Sequence, residues 1–449
     1  MVSVKTIRAC FAATILIIVV SSSILWLQRP NVWSPETQIT SGSGDSRLVD
    51  AAADNSGGLH FVWEDNRAGL QQVYYKRSLD SGLTWSQDVE LSSLSDDTVD
   101  PLPRITFNAN RILVFFSGRI GNGEQVFEIT GTPTESNFSR QRQITDNPGY
   151  QTNLAVAVTG DTVHLVWQSY ENASEHIYYM RSADDGTTWQ TAIPLTQGTA
   201  QDRHPSIFAV NRNVFVVWDR FNDGLEALFF IASLDGGVTW QPDVQISEYA
   251  PPVLSIFPAI VSNGTYVHAV WNLGRVLYSR SADAGSTWTT PVALTNESRQ
   301  YLSPRVSESG ESLRVVTAAI NPQGRTSSDV YYLESSNAGQ SWTSPIAIAS
   351  PPSGKFSLSP TVVIRNDDIF VAWEDNRNGH FAIFFVSKPN FSQLHTLQRQ
   401  LSIDVAAALG LATAVYLILE GTWQRRMGVR ARRIRRKRRK SRASRRLRR

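Results

Sequence analysis

The sequence predicts an all-β chain: a β-propeller of seven four-stranded blades closed by an N-terminal strand, with a membrane-spanning helix or helices flanking it. Three observations predict it. Five copies of one octapeptide run through the chain, SLDSGLTW at 78–85, SADDGTTW at 182–189, SLDGGVTW at 233–240, SADAGSTW at 281–288 and SSNAGQSW at 335–342. Successive copies lie 48 to 54 residues apart except for one double gap of 104 between Trp85 and Trp189, which is the period of a structural repeat rather than of a single active site. Finally, an apolar run precedes each copy and ends in an aromatic before four of the five, and runs without polar alternation are strands covered on both faces.

Within one repeat the elements follow in order. The apolar run is HFVW ending at Trp63, HLVW at Trp167, FVVW at Trp218, HAVW at Trp271 and FVAW at Trp373, with LVFF ending at Phe116 and RVVT ending at Thr317 in the same slot. Thirteen residues before it stands a proline in five repeats, Pro103, Pro205, Pro258, Pro304 and Pro360, expected to open the inner strand. In the octapeptide, an Asp side chain accepts backbone N–H bonds across a tight turn while Gly supplies the unusual backbone angles. A short alternating strand follows, as in DVELSS or DVQISE. Four strands per unit of about 50 residues is the pattern of a propeller blade.

The count is seven units, and the seventh lacks its outer strand. Glu36–Thr40 reads ETQIT, like QRQIT at 141–145 and DVQIS at 243–247, and no unit precedes it. This strand is therefore expected to pair beside Phe381–Ser387, removing the sheet edges that invite aggregation.

The octapeptide resembles the Asp box of the sialidase-like (BNR repeat) propellers. The resemblance makes Asp80, Trp85, Asp184, Trp189, Asp235, Trp240, Asp283, Trp288, Asn337 and Trp342 structural, on the rim away from a catalytic face. It also implies an arginine cluster for a substrate carboxylate, a tyrosine nucleophile helped by a glutamate, and an aspartate acid/base, the exception among glycosidases. Candidates here are Arg47, Arg203 and Arg305, with Arg104 also at an inner-strand start, Asp65 as acid/base and Tyr301 as nucleophile. The pattern departs from the family in three places. The expected Arg-Ile-Pro reads Arg47-Leu48-Val49, the expected tyrosine position holds Phe356, and WEDNRAG at 63–69 recurs as WEDNRNG at 373–379. A catalytic acid is singular, so that recurrence marks a structural turn. Without a hydroxyl the covalent mechanism fails.

Composition bounds the rest. The only cysteine, Cys10, lies outside the repeats, so no disulfide holds them. His60, His164 and His268 share one strand slot in alternate units and read as core histidines rather than metal ligands. No metal or cofactor is expected. Domain limits are 1–30 for a signal peptide or signal anchor, 34–390 for the propeller, 400–421 for a transmembrane helix and 422–449 for a basic tail. Leu401–Leu419 is long enough to cross a bilayer, and 16 Lys and Arg with no acid lie between Arg425 and Arg449, which places the tail in the cytoplasm. Residues 28–400 hold 25 basic against 38 acidic residues, a net −13 hidden inside the chain's formal +3, and such a propeller is no nucleic-acid binder. The expected partners are thus a glycan or extracellular protein on the propeller, the membrane, and anionic lipid at the tail, with nucleic acid there as the lesser alternative. The function expected is non-catalytic recognition on the channel face, with an exo-sialidase-like glycoside hydrolase as the alternative.

Overall fold

In the computed structural model the described residues are 33–389, apart from 96–99, 109–110, 134–136, 172, 253–255 and 321–326, together with a few positions between 425 and 435. Contacts divide the chain into two units, Met1–Pro389 and Asn390–Arg449. The described residues of the second unit, such as Arg430 and Arg433, are helical and exposed. The expected apolar spans at 1–30 and 400–421 lie outside the described residues. No helix among the described residues is long and apolar enough to cross a membrane.

The described residues of the first unit form 28 strands in seven antiparallel groups of four. Two of these groups, covering Arg104–Gln143 and Tyr150–Pro194, are joined into one eight-stranded sheet by a single parallel bridge, Tyr150 to Glu124. Calling the groups blades one to seven, their inner strands are Ser46–Ala53, Arg104–Asn108, Tyr150–Thr159, Gln201–Val210, Ala259–Ser262, Gln300–Ser309 and Ser357–Arg365. Each inner strand packs on the next, and the last packs on the first. Blade seven takes its fourth strand from the N-terminus: Thr37 pairs with Phe385 and Gln38 with Phe384. The fourth strands are shorter than the sequence pattern implies, two residues in every blade but the sixth, because beyond that pairing the chain crosses toward the next blade.

The second strand of each blade is the buried one. Leu59–Asp65 is buried at every position, and Trp63, Trp167, Trp218, Trp271 and Trp373 have no exposed surface. Four of these rings stack on third-strand aromatics of the same blade, Trp63 on Tyr74 at 6.0 Å and Trp218 on Phe229 at 6.1 Å among them, while Trp271 lies opposite Leu277. Large apolar rings covered on both faces supply most of the burial energy. His60, His164 and His268 are fully buried, each sharing a hydrogen bond through Nδ1 with Tyr75, Tyr179 or Tyr278 at 2.7–2.8 Å. Burial holds all three rings neutral, down to about 4.

Each octapeptide folds into the same turn. In the second copy Ser182 Oγ donates to Asp184 Oδ1 (2.7 Å), Asp184 Oδ1 accepts the Thr188 N–H (2.8 Å), and Thr188 Oγ1 donates to Asp184 Oδ2 (2.6 Å). Those donors hold the Asp184 carboxyl down at about 2, the Thr188 hydroxyl first among them. In the fifth copy Asn337 Oδ1 accepts the Ser341 N–H (2.9 Å) and Asn337 Nδ2 donates to Ser341 Oγ (2.9 Å), so the bond direction reverses and the turn survives. The tryptophan then reaches sideways into the preceding blade: Trp240 meets Tyr179 edge-on at 4.9 Å, Trp288 meets Phe230 at 5.1 Å, Trp342 meets Tyr278 at 5.1 Å, and Trp85 of blade one meets Phe385 of blade seven at 5.2 Å. Gly285 sits against Phe230 at φ +92°, where a Cβ would overlap the ring. The two blades without an octapeptide find substitutes that the repeat pattern does not reveal. Phe138 meets Tyr75 at 4.8 Å for blade two, and Trp33 from the N-terminal segment meets Tyr332 at 5.0 Å for blade seven.

Candidate functional site: the channel cavity

Near their starts the inner strands break step. Register shifts mark bulges between Arg47 and Asp50, Thr152 and Ala155, Arg203 and Ser206, Leu302 and Arg305, and Leu358 and Thr361. At each of these five bulges one non-glycine residue has positive φ, Leu48, Asn153, His204, Ser303 and Ser359, and Leu102 just before the inner strand of blade two does the same, all between +46° and +50°. Backbone held there by its surroundings is characteristic of functional sites. Three of the prolines expected to open these strands, Pro205, Pro304 and Pro360, instead lie inside them at the bulge, where an extra unpaired residue leaves no ladder N–H for proline to withhold.

These positions surround one cavity of ≈ 410 Å³ to which all seven blades contribute. Arg104, Arg305, Asp100, Asn153, His204 and Phe257 are its chemically distinctive walls. Beneath it runs a layer that sequence reasoning missed, formed by the residue that follows each slot aromatic. Glu374 accepts the Leu48 N–H (2.8 Å) and the Ser359 hydroxyl (3.2 Å), Gln168 Oε1 accepts Asn153 Nδ2 (2.8 Å) and the His204 N–H (3.2 Å), Asn272 Oδ1 accepts the Phe257 N–H (2.9 Å), and Asp219 Oδ1 bonds His204 Nδ1 (2.7 Å). The signal was present in the sequence as Glu, Gln, Asp, Asn and Glu after five tryptophans. Glu64 stands in the same layer, 1% exposed, with neither oxygen in a hydrogen bond of normal geometry. Burial pushes it up to about 8, Asp100 and Glu374 add to the rise, and the Leu102 backbone amide offsets only part of it.

The arginine candidates separate into two pairs. Arg104 and Arg305 line the cavity from blades two and six. Neither has an ion pair among the described residues; Arg104 donates only to the Pro103 carbonyl (3.0 Å). Burial and the neighbouring Arg104 charge hold Arg305 down to about 10, with Asp50 opposing. Arg47 and Arg203 are committed elsewhere. Arg47 lies 3.7 Å from Glu374 and over the Phe381 ring, and Arg203 bridges Asp219 (3.0 Å) and Glu226 (2.5 Å).

Tyr301 and Asp65 are also placed away from the cavity wall. Tyr301 is 3% exposed and packs edge-on to Tyr331 at 5.9 Å. Asp65 accepts from Ser46 Oγ (2.6 Å), Trp63 Nε1 (3.2 Å) and Arg67 Nε (2.8 Å). Asp375 makes the matching set with Ser357, Trp373 and Arg377, so the two turns are copies of one structure. Among the described residues no group of His, Cys, Asp and Glu is arranged to hold a metal ion.

No family model and no curated protein matches the chain. Among solved structures, Trypanosoma rangeli sialidase is similar at 12% identity and TM-score 0.49, over 79% of this chain and 59% of that one. The GH93 alpha-L-arabinofuranosidase of Fusarium graminearum is similar at 13% identity and TM-score 0.47, over 65% of this chain and 94% of that one. The chain thus spans 59% of the length of the sialidase. The seven-bladed β-propeller stands on the strand pairing and repeated turns described above, not on these likenesses.

Proposed function

We propose that the protein is a membrane-anchored propeller held outside the cytoplasm, which recognises an anionic group of a glycan or protein in its channel cavity and does not hydrolyse it. One observation carries this reading: Arg104 and Arg305 reach the same cavity from different blades and form no ion pair among the described residues, with Asp50 acting on Arg305 only at longer range and Asp100 standing on the same wall. Two close like charges are stable only with a counter-anion or water, and guanidinium groups are suited to carboxylates. The cavity volume falls in the range that encloses a small ligand. His204, Asn153 and Ser303 add polar positions around the charge. The anchor and the lipid contact of the basic tail rest on the apolar stretches and the run of Lys and Arg in the sequence.

A second reading, a glycoside hydrolase of the exo-sialidase kind, draws on Glu64, because a carboxyl kept protonated near neutrality beside a cavity is what a general acid requires. Its weakness is the missing nucleophile, since Tyr301 faces Tyr331.

Titration with sialylated and desialylated oligosaccharides and with carboxylate-bearing peptides tests the first reading. Arg104→Ala and Arg305→Ala should each weaken the anionic ligand about 10- to 100-fold, the equivalent of one charge-assisted hydrogen bond, while circular dichroism stays unchanged. Binding indifferent to both changes rejects it. Hydrolysis of a fluorogenic sialoside that disappears in Glu64→Gln or Tyr301→Phe establishes the second reading instead.

A further inference from the structure

The propeller ends where it begins. The Ser34 N–H donates to the Ser387 carbonyl, and Ser34 Oγ accepts the Ser387 N–H, both at 2.8 Å. Strand register fixes the face on which this happens. Lys388 pairs with Ile369 as Ser78 pairs with Leu59, so Lys388 occupies in blade seven the place where Ser78 opens the octapeptide turn of blade one. Trp33, packed on Tyr332, fills the tryptophan position of the same layer. Both ends of the fold therefore leave on the octapeptide face, while the cavity lies at the opposite ends of the inner strands, where Ser46 pairs with Asp65 and Ser357 with Asp375.

The sequence beyond each end is apolar. Residues 28–32 alone separate Trp33 from the stretch that ends at Leu27, and residues 389–400 separate Lys388 from Leu401. An extended residue spans at most 3.3–3.6 Å, so the shorter tether reaches no more than about 20 Å. The same face exposes Leu79 (58%), Leu83 (84%), Leu234 (47%) and Val238 (57%). They come as matched pairs from the turns of blades one and four, on opposite sides of the ring. The equivalent positions in the other three turns are small or polar: Ala183 and Thr187, Ala282 and Ser286, Ser336 and Gln340. Single exposed apolar residues are ordinary; pairs repeated at the tips of two turns, on the face from which both apolar segments depart, are not.

We infer that the octapeptide face is a bilayer-docking surface, with Leu79, Leu83, Leu234 and Val238 entering the headgroup boundary and the channel cavity turned away from the membrane. This rests on the anchored reading above. Two contact points across the ring restrain its tilt along the line that joins them, and burying their apolar side chains at the headgroup boundary favours the docked state.

The full chain carrying Cys10→Ser, reconstituted in phosphatidylcholine vesicles, tests it. A bimane label is placed at Leu83→Cys, at Val238→Cys, or at Ile120→Cys, an exposed hairpin tip at the cavity end. Lipid carrying a doxyl group near its headgroup should quench the first two labels several-fold more than the third. Absence of quenching at 83 and 238 in protein that resists alkaline carbonate extraction overturns the docking surface while leaving the anchor standing. Release by carbonate overturns the anchored reading and the inference with it. Blue-shifted bimane at 83 without lipid quenching, accompanied by a cross-linked dimer, assigns the face to a second copy of the chain and likewise overturns the inference.

Discussion

Replacing Ser34 and Ser387 by cysteine should lock the ring. The two serines lie in the seam between the first and last strands, 353 residues apart, with Ser34 Oγ 2.8 Å from the Ser387 amide nitrogen. Serine to cysteine changes little volume, and neither residue belongs to the hydrophobic core. With Cys10→Ser in the background, oxidation should give one intramolecular disulfide, seen as faster migration on a non-reducing gel. Closing a loop of that length removes enough unfolded-state entropy to stabilise by roughly 6 kcal/mol as an upper limit. Engineered disulfides deliver less, because native geometry strains, so a gain of at least about 2 kcal/mol is the expected outcome. Urea midpoints of the oxidised and reduced forms measure it. Folded monomer that keeps two free thiols after oxidation would refute the seam. Disulfide-linked dimers would show instead that the N-terminal strand is exchanged between copies.

Other perturbations test the layers of the fold separately. Trp218→Ala, which empties a fully buried site, should cost about 3–5 kcal/mol, and Trp240→Ala, half-buried against Tyr179, about half of that; equal costs would contradict the burial described. Trp33→Ala should behave like Trp240→Ala in thermal unfolding, and a negligible effect would remove it from the inter-blade layer. His60, His164 and His268 stay neutral in the fold down to about 4 against an ordinary 6.5, so the unfolded chain takes up protons first and stability should fall as pH drops from 6.5 toward 4. Glu64 has the opposite sign: it keeps its proton in the fold up to about 8 against an ordinary 4.5, so its contribution is complete below 4.5 and is lost as pH rises through 8. Glu64→Gln should remove a downward slope between pH 4.5 and 8, steepening the histidine rise below 6.5 and flattening the fall above it, while the profile below 4.5 stays unchanged; an unaltered slope between 6.5 and 8 would place the titration elsewhere.

The architecture was legible because it repeats. A residue type recurring at a constant offset, such as the slot tryptophan or the turn aspartate, reports a backbone position that every blade needs. The closing strand could be read from ETQIT for the same reason. Trp33 and Phe138 were not legible, since each does a tryptophan's job from a segment with no surrounding motif. The site was legible only in part. Arg104 and Arg305 were recognisable as strand-opening arginines, but nothing local distinguishes them from Arg47 and Arg203, whose acidic partners Glu374 and Asp219 are far away in sequence or across a hairpin. Tyr301 and Asp65 looked available by residue type, and packing decided otherwise. The polar layer under the cavity was written after five tryptophans, yet its meaning depends on the neighbouring inner strand, which a one-dimensional reading does not supply.

The seam also sets a schedule for biosynthesis. The strand Thr37–Gln38 is among the first of the fold to be made, and its partner Ala382–Lys388 is the last. At 5–20 residues per second the ribosome needs roughly 20–70 s to bridge that interval. Throughout it, six blades can assemble while the N-terminal strand waits with Ile39, later buried against blades one and seven, still uncovered. A newly made chain is thus an open horseshoe with two adhesive ends, and its safest interval begins only when the final strand arrives. Any factor that shields this protein during synthesis has its best target in residues 33–40, and two nascent chains held close together have, in that segment, their readiest means of entanglement.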